Sequence, residues 1–180
     1  MFPQLLIVDD QSENFKVIEV LLSRESYELS YVSSGQAALQ YLQLHRPDVI
    51  LMDVMMPEMD GYALAQQIKD HREWQHIPVI AITALSDSED LERCLAAGAD
   101  DFISKPVDGV ELRARIRAML RIRRQYERLH YLVDLQDDLA HMMVHDLRSP
   151  LTSIAMSTSV LDRVVSEPLP QKQVKRILAS

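Results

Sequence analysis

The chain has 180 residues, 47 % apolar and 26 % charged, a composition of folded globular proteins rather than of disordered or collagen-like ones. No apolar run approaches the ~18 residues of a membrane-spanning helix, no signal-peptide pattern follows Met1, and a single cysteine, Cys94, excludes an internal disulfide and suits a reducing cytoplasmic location. The formal charge of −8 is uneven: residues 1–122 carry 11 Lys/Arg against 20 Asp/Glu, and residues 123–180 carry 8 against 7. An acidic surface of this kind repels phosphates, so no nucleic-acid partner is expected.

Over residues 1–107, short apolar runs alternate with stretches of helical period. The runs are Leu5–Val8, Leu29–Val32, Val49–Met52, Val79–Ile82 and Phe102–Ile103. Three of them are continuous aliphatic runs, as in strands covered on both faces. The intervening helical faces are Phe15, Ile18, Leu21 and Leu22; Ala38, Leu39, Tyr41 and Leu42; and Leu64, Ala65 and Ile68. Ser12, Ser34, Asp60 and Ser86 occupy the positions of helix N-caps. The pattern predicts an α/β fold, a five-stranded parallel sheet doubly wound by helices, with its site at the carboxyl ends of the strands.

Five residues gather on that rim. Asp9 and Asp10 follow the first strand, Asp53 ends the third, Thr83 ends the fourth and Lys105 follows the fifth. Each alone has a plain reading as a turn, a cap or strand filler. Together, three converging carboxylates repel one another unless a hard divalent cation joins them, and oxygen ligands favour Mg²⁺ or Mn²⁺. Zinc is disfavoured because no Cys or His stands at these strand ends. A lysine and a hydroxyl at the same rim can neutralise and hydrogen-bond phosphoryl oxygens. A metal-dependent hydrolase on the same rim would need a substrate pocket that the sequence does not show.

The strings Ile7-Val8-Asp9-Asp10, Leu51 through Gly61, Ile82-Thr83-Ala84 and Lys105-Pro106 resemble the receiver domain of two-component response regulators, over residues 3–122. The resemblance implies a flavodoxin-like (βα)5 domain over 1–122 with Asp53 as phosphoacceptor. It implies Mg²⁺ bound directly by Asp10 and Asp53 and by the Met55 carbonyl, with Asp9 acting largely through water. Lys105 would pair with the phosphoryl group beside a cis Lys105–Pro106 bond. Thr83 and Phe102 would be the switch pair. Many receivers carry tyrosine where this chain has Phe102, which removes a hydroxyl that could report the switch.

From Asp108 the character changes, with no Pro until Pro150 and no Gly beyond Gly109. A heptad frame runs through Met119, Ile122, Tyr126, Leu129, Val133, Gln136, Ala140, Met143 and Leu147, eight of the nine apolar or aromatic. It predicts a long helix and a parallel homodimeric coiled coil through 119–147. Continued to about residue 166, the rod is roughly 85–90 Å long, with a kink at Pro150. The arginines at 113, 115, 117, 121, 123 and 124 read as a solvated helix face. Glu167-Pro168-Leu169-Pro170 breaks the helix, and Gln171–Ala179 reads as the start of a returning one. The absence of glycine beyond Gly109 argues against an ATP site there.

In the heptad frame His145 points outward, with Asp146 beside it able to orient or deprotonate the imidazole. His141 and His145 have the i, i+4 spacing of a metal pair, but no third ligand is evident. The string His145-Asp146-Leu147-Arg148-Ser149-Pro150-Leu151-Thr152 resembles the H-box of histidine-kinase dimerisation and phosphotransfer domains. That resemblance implies autophosphorylation at His145 and an acid/base role for Asp146. Ser149 stands where phosphatase-competent members often have Thr or Asn. It also implies a signalling coiled coil over 123–140 and a truncated phosphotransfer hairpin over 141–180. The expected whole is a hybrid histidine kinase fragment that takes a phosphoryl group from a phosphohistidine donor. Without an ATP-binding domain the fragment is not expected to autophosphorylate alone. The alternative is a response regulator controlling a dimeric coiled-coil adaptor.

Overall fold

The structure, a computed structural model, describes residues 2–84 and 88–166, with the side chains of 88–91, 140, 144, 149 and 160–166 not described. In chain order the elements are β1 (Gln4–Val8), α1 (Ser12–Leu22), β2 (Glu28–Val32), α2 (Gly35–Leu44), β3 (Val49–Asp53), α3 (Gly61–Asp70), β4 (Val79–Thr83), α4 (Ser88–Ala96), β5 (Asp101–Ser104) and α5 (Gly109–Ser166). The five strands are parallel and ordered β2-β1-β3-β4-β5. The order reverses between β1 and β3, which opens a crevice beyond their carboxyl ends.

The chain divides into two units, residues 1–129 and 130–180. In the first, alternate residues of each strand feed two cores. Leu6, Val8, Ile50, Met52, Val79 and Ala81 face α2 and α3 through Ala38, Leu42, Leu64 and Ile68. Leu5, Ile7, Leu51, Ile80 and Ile82 face α1 and α5 through Ile18, Leu22, Leu112 and Ile116. Each fully buried Leu or Ile contributes about 1.5–3 kcal/mol, so the two layers hold the sheet rigidly under its rim. Cys94 of α4 is buried in the first core. The ammonium of Lys69 donates to the carbonyls of Gln75 and Ile77 and to Asp100, tying the end of α3 to the entry of β4 and β5.

Helix starts follow local chemistry. Ser34 accepts from the Ala37 amide at 3.2 Å and Asp60 from the Ala63 amide at 2.8 Å, as N-caps do. Ser12 does not cap α1. It is the first helical residue, and Gln11 stands at the cap without a side-chain bond. The preceding carboxylate of Asp9 instead accepts from the Gln11 amide, so the turn is organised from the rim rather than by a cap. The α5 cap is Asp108, whose carboxylate accepts from the amides of Val110 and Glu111. Ser86 lies outside the described residues.

Two expectations about α5 need correction. Met119, the first position of the heptad frame, is buried against the sheet, and Tyr126 stacks on His76 with ring centres 5.0 Å apart. These positions belong to the receiver-facing side of the helix, because packing on a sheet and packing on a second helix both select apolar residues at helical spacing. The arginine run is not a uniformly solvated face either. Arg113 donates to the Leu21 carbonyl, Arg115 pairs with Asp101 and Glu111, Arg117 pairs with Glu25, and Arg123 is buried.

In the second unit, residues 130–166 are helical and Pro150 lies inside the helix. Val133, Leu139, Met143, Leu147, Leu151 and Ile154 are all exposed. The Ala140 side chain, the Glu167–Pro170 breaker and the returning helix of 171–179 lie outside the described residues.

Candidate functional site

The site stands in the crevice between β1 and β3. Asp53, the last residue of β3, is 3 % exposed, and Asp9, one step beyond β1, is 1 % exposed. One carboxylate oxygen from each of Asp9, Asp10 and Asp53 lies within 4.8 Å of the others, the one such acidic cluster among the described residues. The ammonium of Lys105 is 2.8 Å from Asp53 Oδ2 and 3.8 Å from Asp9 Oδ2. The Lys105–Pro106 peptide bond is cis, and the Lys105 amide donates to the carbonyl of Thr83 at 2.7 Å. The expected convergence of Asp9, Asp10, Asp53, Thr83 and Lys105 is therefore what the fold produces.

The three carboxylates are not equivalent. Asp9 accepts from the Gln11 amide and, through both oxygens, from the Asn14 side chain. Burial pushes its carboxyl above the usual range and the Asp53 charge adds to this, while the bonds from Asn14 and Gln11 and the charge of Lys105 pull it back. Asp10 differs: its Oδ1 is buried with no hydrogen-bond partner. An orphaned carboxylate oxygen facing two further carboxylates fits a hard divalent cation, which would join Asp10 and Asp53 directly. Asp9 is already engaged through both oxygens by Asn14.

Neighbouring backbone fixes Asp53. The Met55 amide donates to Asp53 Oδ1 at 3.3 Å, while the Met55 side chain is exposed. Gly61 starts α3 directly beneath this loop, and a Cβ there would stand 2.6 Å from the Asp53 carbonyl oxygen and 2.7 Å from Val54 Cα. Only glycine lets the helix approach so closely.

Thr83 is fully buried at the end of β4, and Phe102 is half-buried on the adjacent β5. The guanidinium of Arg115 lies 5.5 Å from the centre of the Phe102 ring. Sequence reasoning missed Asn14, which reads as an ordinary first-turn polar residue, and Tyr31, whose hydroxyl donates to the Asp9 carbonyl at 2.9 Å. Burial and the nearby charges of Asp9, Asp10 and Glu13 raise the Tyr31 phenol above its usual range. The spacing of Asn14 five residues after Asp9, in the first turn of the next helix, is the available signal.

His145 stands in the other unit. Its side chain is 82 % exposed, with Nδ1 3.3 Å from Asp146 Oδ1. His141 Nδ1 lies 2.9 Å from the Asp137 carbonyl, an ordinary helical contact.

The response regulator receiver domain model matches residues 5–117. The chain belongs to the receiver-domain family. Receivers take phosphoryl groups from histidine kinases in two-component signalling. The response regulator PleD of Caulobacter vibrioides is 42 % identical over 123 residues, which are 68 % of this chain and 27 % of PleD. The transcriptional regulatory protein AfsQ1 of Streptomyces coelicolor is 39 % identical over 66 % of this chain and 52 % of its own length. The chain thus spans about a quarter to a half of these two relatives. Among solved structures, the signal receiver domain of a signal transduction histidine kinase from Syntrophus aciditrophicus is similar with a TM-score of 0.62 and 41 % identity, covering 66 % of this chain and 90 % of that one. The receiver domain of sensor histidine kinase PA1611 from Pseudomonas aeruginosa is similar with a TM-score of 0.62 and 32 % identity, over 67 % of this chain and 98 % of that one. That structure has a magnesium ion coordinated in its active-site cleft.

Proposed function

We propose that this chain is the receiver and helical linker of a hybrid histidine kinase, in which phosphorylation of Asp53 regulates chemistry at His145. The observation that carries the first half is the pairing of Asp53 with Lys105 at 2.8 Å beside the orphaned oxygen of Asp10.

In the proposed reaction a carboxylate oxygen of Asp53 attacks the phosphorus of a phosphohistidine. The P–N bond breaks, and its electrons return to the departing imidazole, which takes up a proton. Lys105 holds one phosphoryl oxygen and offsets the charge that the transferring group brings against Asp9 and Asp10. Asp10, Asp53 and the Met55 carbonyl would hold Mg²⁺, which would supply charge neutralisation on the phosphoryl oxygens. The new charge on Asp53 draws the hydroxyl of Thr83, and the ring of Phe102 turns into the space behind it. Arg115, over that ring and on α5, is the first residue outside the site to feel the change.

For the helix, the reading rests on the H-box string and on the exposure of His145, which leaves it reachable by both a donor and a receiving aspartate. The exposed apolar stripe beyond Leu129 would pair with a second copy, in parallel. Asp146 would orient the imidazole, and an ATP-binding domain in the parent protein would supply the phosphoryl group.

The test is phosphosite mapping of the full chain with a small phosphoryl donor and Mg²⁺. Label on Asp53 that is lost in Asp53→Asn is expected, and an unlabelled wild-type chain would remove the receiver chemistry. Supplying a histidine-kinase ATP-binding domain with ATP then separates the two readings of the helix. Label on His145 supports the kinase, and none there leaves a dimeric adaptor.

A further inference from the structure

At the amino-terminal edge of the sheet, opposite the carboxylate rim, a cleft of about 270 Å³ opens where α5 leaves β1. Its walls include Gln4, Asp48, Leu120 and three arginines, Arg46, Arg123 and Arg124. Arg123 is the unusual one. It is 8 % exposed, the most deeply buried positive side chain among the described residues. Its Nε is ion-paired with Glu127 Oε1 at 3.0 Å but not hydrogen-bonded to it, and its Nη1 is buried with no partner. A guanidinium carries a fixed fork of donors and stays charged, so a buried one with idle donors is short of an acceptor.

The surrounding groups do not supply that acceptor. Asp48 already accepts from the Gln4 amide at 2.7 Å, and Arg46 is held by Glu73 and by the carbonyl of His45. The three arginines meet the carboxylates of Asp48, Glu127 and, outside the cleft wall, Glu73, and the Arg123 Nη1 remains a buried donor with no acceptor. The volume is below that of a drug-sized pocket and suits one or two phosphate groups.

We propose that this cleft is an oxyanion site, in which Arg123 with Arg46 and Arg124 holds a phosphate or pyrophosphate group. An anion bound there touches both the base of the sheet, through Gln4 and Arg46, and α5, through Arg123 and Arg124. Occupancy fastens the last receiver-packed turns of α5 and so stiffens the exit of the helix. This does not depend on phosphorylation of Asp53, and it gives the helix a second input.

The test is a titration of the full chain with sodium pyrophosphate in EDTA at constant ionic strength, read by amide NMR shifts. Saturable shifts at Gln4 and at Leu120–Arg124 are expected, weakened about tenfold by Arg123→Gln, the cost of one charge-assisted contact. If Arg123→Gln does not fold, as judged by circular dichroism, Arg46→Gln takes its place, since the Arg46 side chain is 40 % exposed. Inorganic phosphate in a parallel titration binding as tightly as pyrophosphate assigns a single-phosphate site. Shifts confined to Asp53 and Lys105, no saturable shifts, or affinity unchanged in the folded variant would each overturn the proposal.

Discussion

Residues 2–129 and residues 130–166 are built on opposite terms. In the first unit nearly every functional group is held from several sides: Asp53 by Lys105 and the Met55 amide, and Asp9 by Asn14 and Gln11. In the second, His145 has one neighbour, Asp146, and the large apolar side chains of the helix are exposed. The difference teaches where completeness lies. A receiver can assemble its reaction centre from one chain, because four strand ends converge. A lone helix cannot bury its own apolar stripe, so its stability and its chemistry depend on another body.

The contrast is broken most directly in the cores. Leu51→Ala, at a fully buried position of β3, should destabilise the receiver by about 2–5 kcal/mol in urea unfolding. Leu132→Ala, on the exposed helix, should move the same transition by less than about 0.5 kcal/mol. Equal effects would mean that the two units fold as one. Next in size is Gly61→Ala, which forces a methyl group against the Asp53 carbonyl. It should cost about 1–3 kcal/mol and slow labelling of Asp53, because β3 and α3 must separate.

A smaller effect comes from the buried Asp9. Its carboxyl sits above its unfolded value of 3.8, so its contribution to stability is complete below that pH and is lost as pH rises through the raised value. In EDTA, the receiver's stability should therefore fall across that window, and Asp9→Asn should flatten the fall. A steeper slope in the variant would contradict burial as the dominant cause. A small change is also expected from Arg117→Ala. Arg117 pairs with Glu25 at 2.8 Å but is 64 % exposed, so the loss should stay below about 1 kcal/mol and shrink in high salt.

Much of the receiver was legible in the sequence because its strands are buried on both faces. Val49–Met52 and Val79–Ile82 can be little else, and the rim residues follow once the strand ends are located. The bounds of β5 were less clear, since only Ile103 of its four residues is buried. Ser12 looks like the α1 cap, and nothing local reveals that Asp9 reaches forward to the Gln11 amide. The heptad frame includes two receiver-packed positions for a similar reason. Met119 and Tyr126 obey helical spacing, and spacing alone does not say whether a sheet or a helix lies opposite. Arg123 was hidden inside a basic run, where a buried guanidinium and a solvated one share the same letter.

Cys94 has a practical consequence. It is 2 % exposed, sits on α4 directly after the β4 end that carries Thr83, and is the one thiol in the sequence. A thiol reagent can reach it only when α4 lifts from the sheet. The labelling rate of the unmodified chain is therefore a clock for that opening, free of engineered probes. Run before and after phosphoryl transfer to Asp53, the clock measures how far the event at the rim travels into the neighbouring helix.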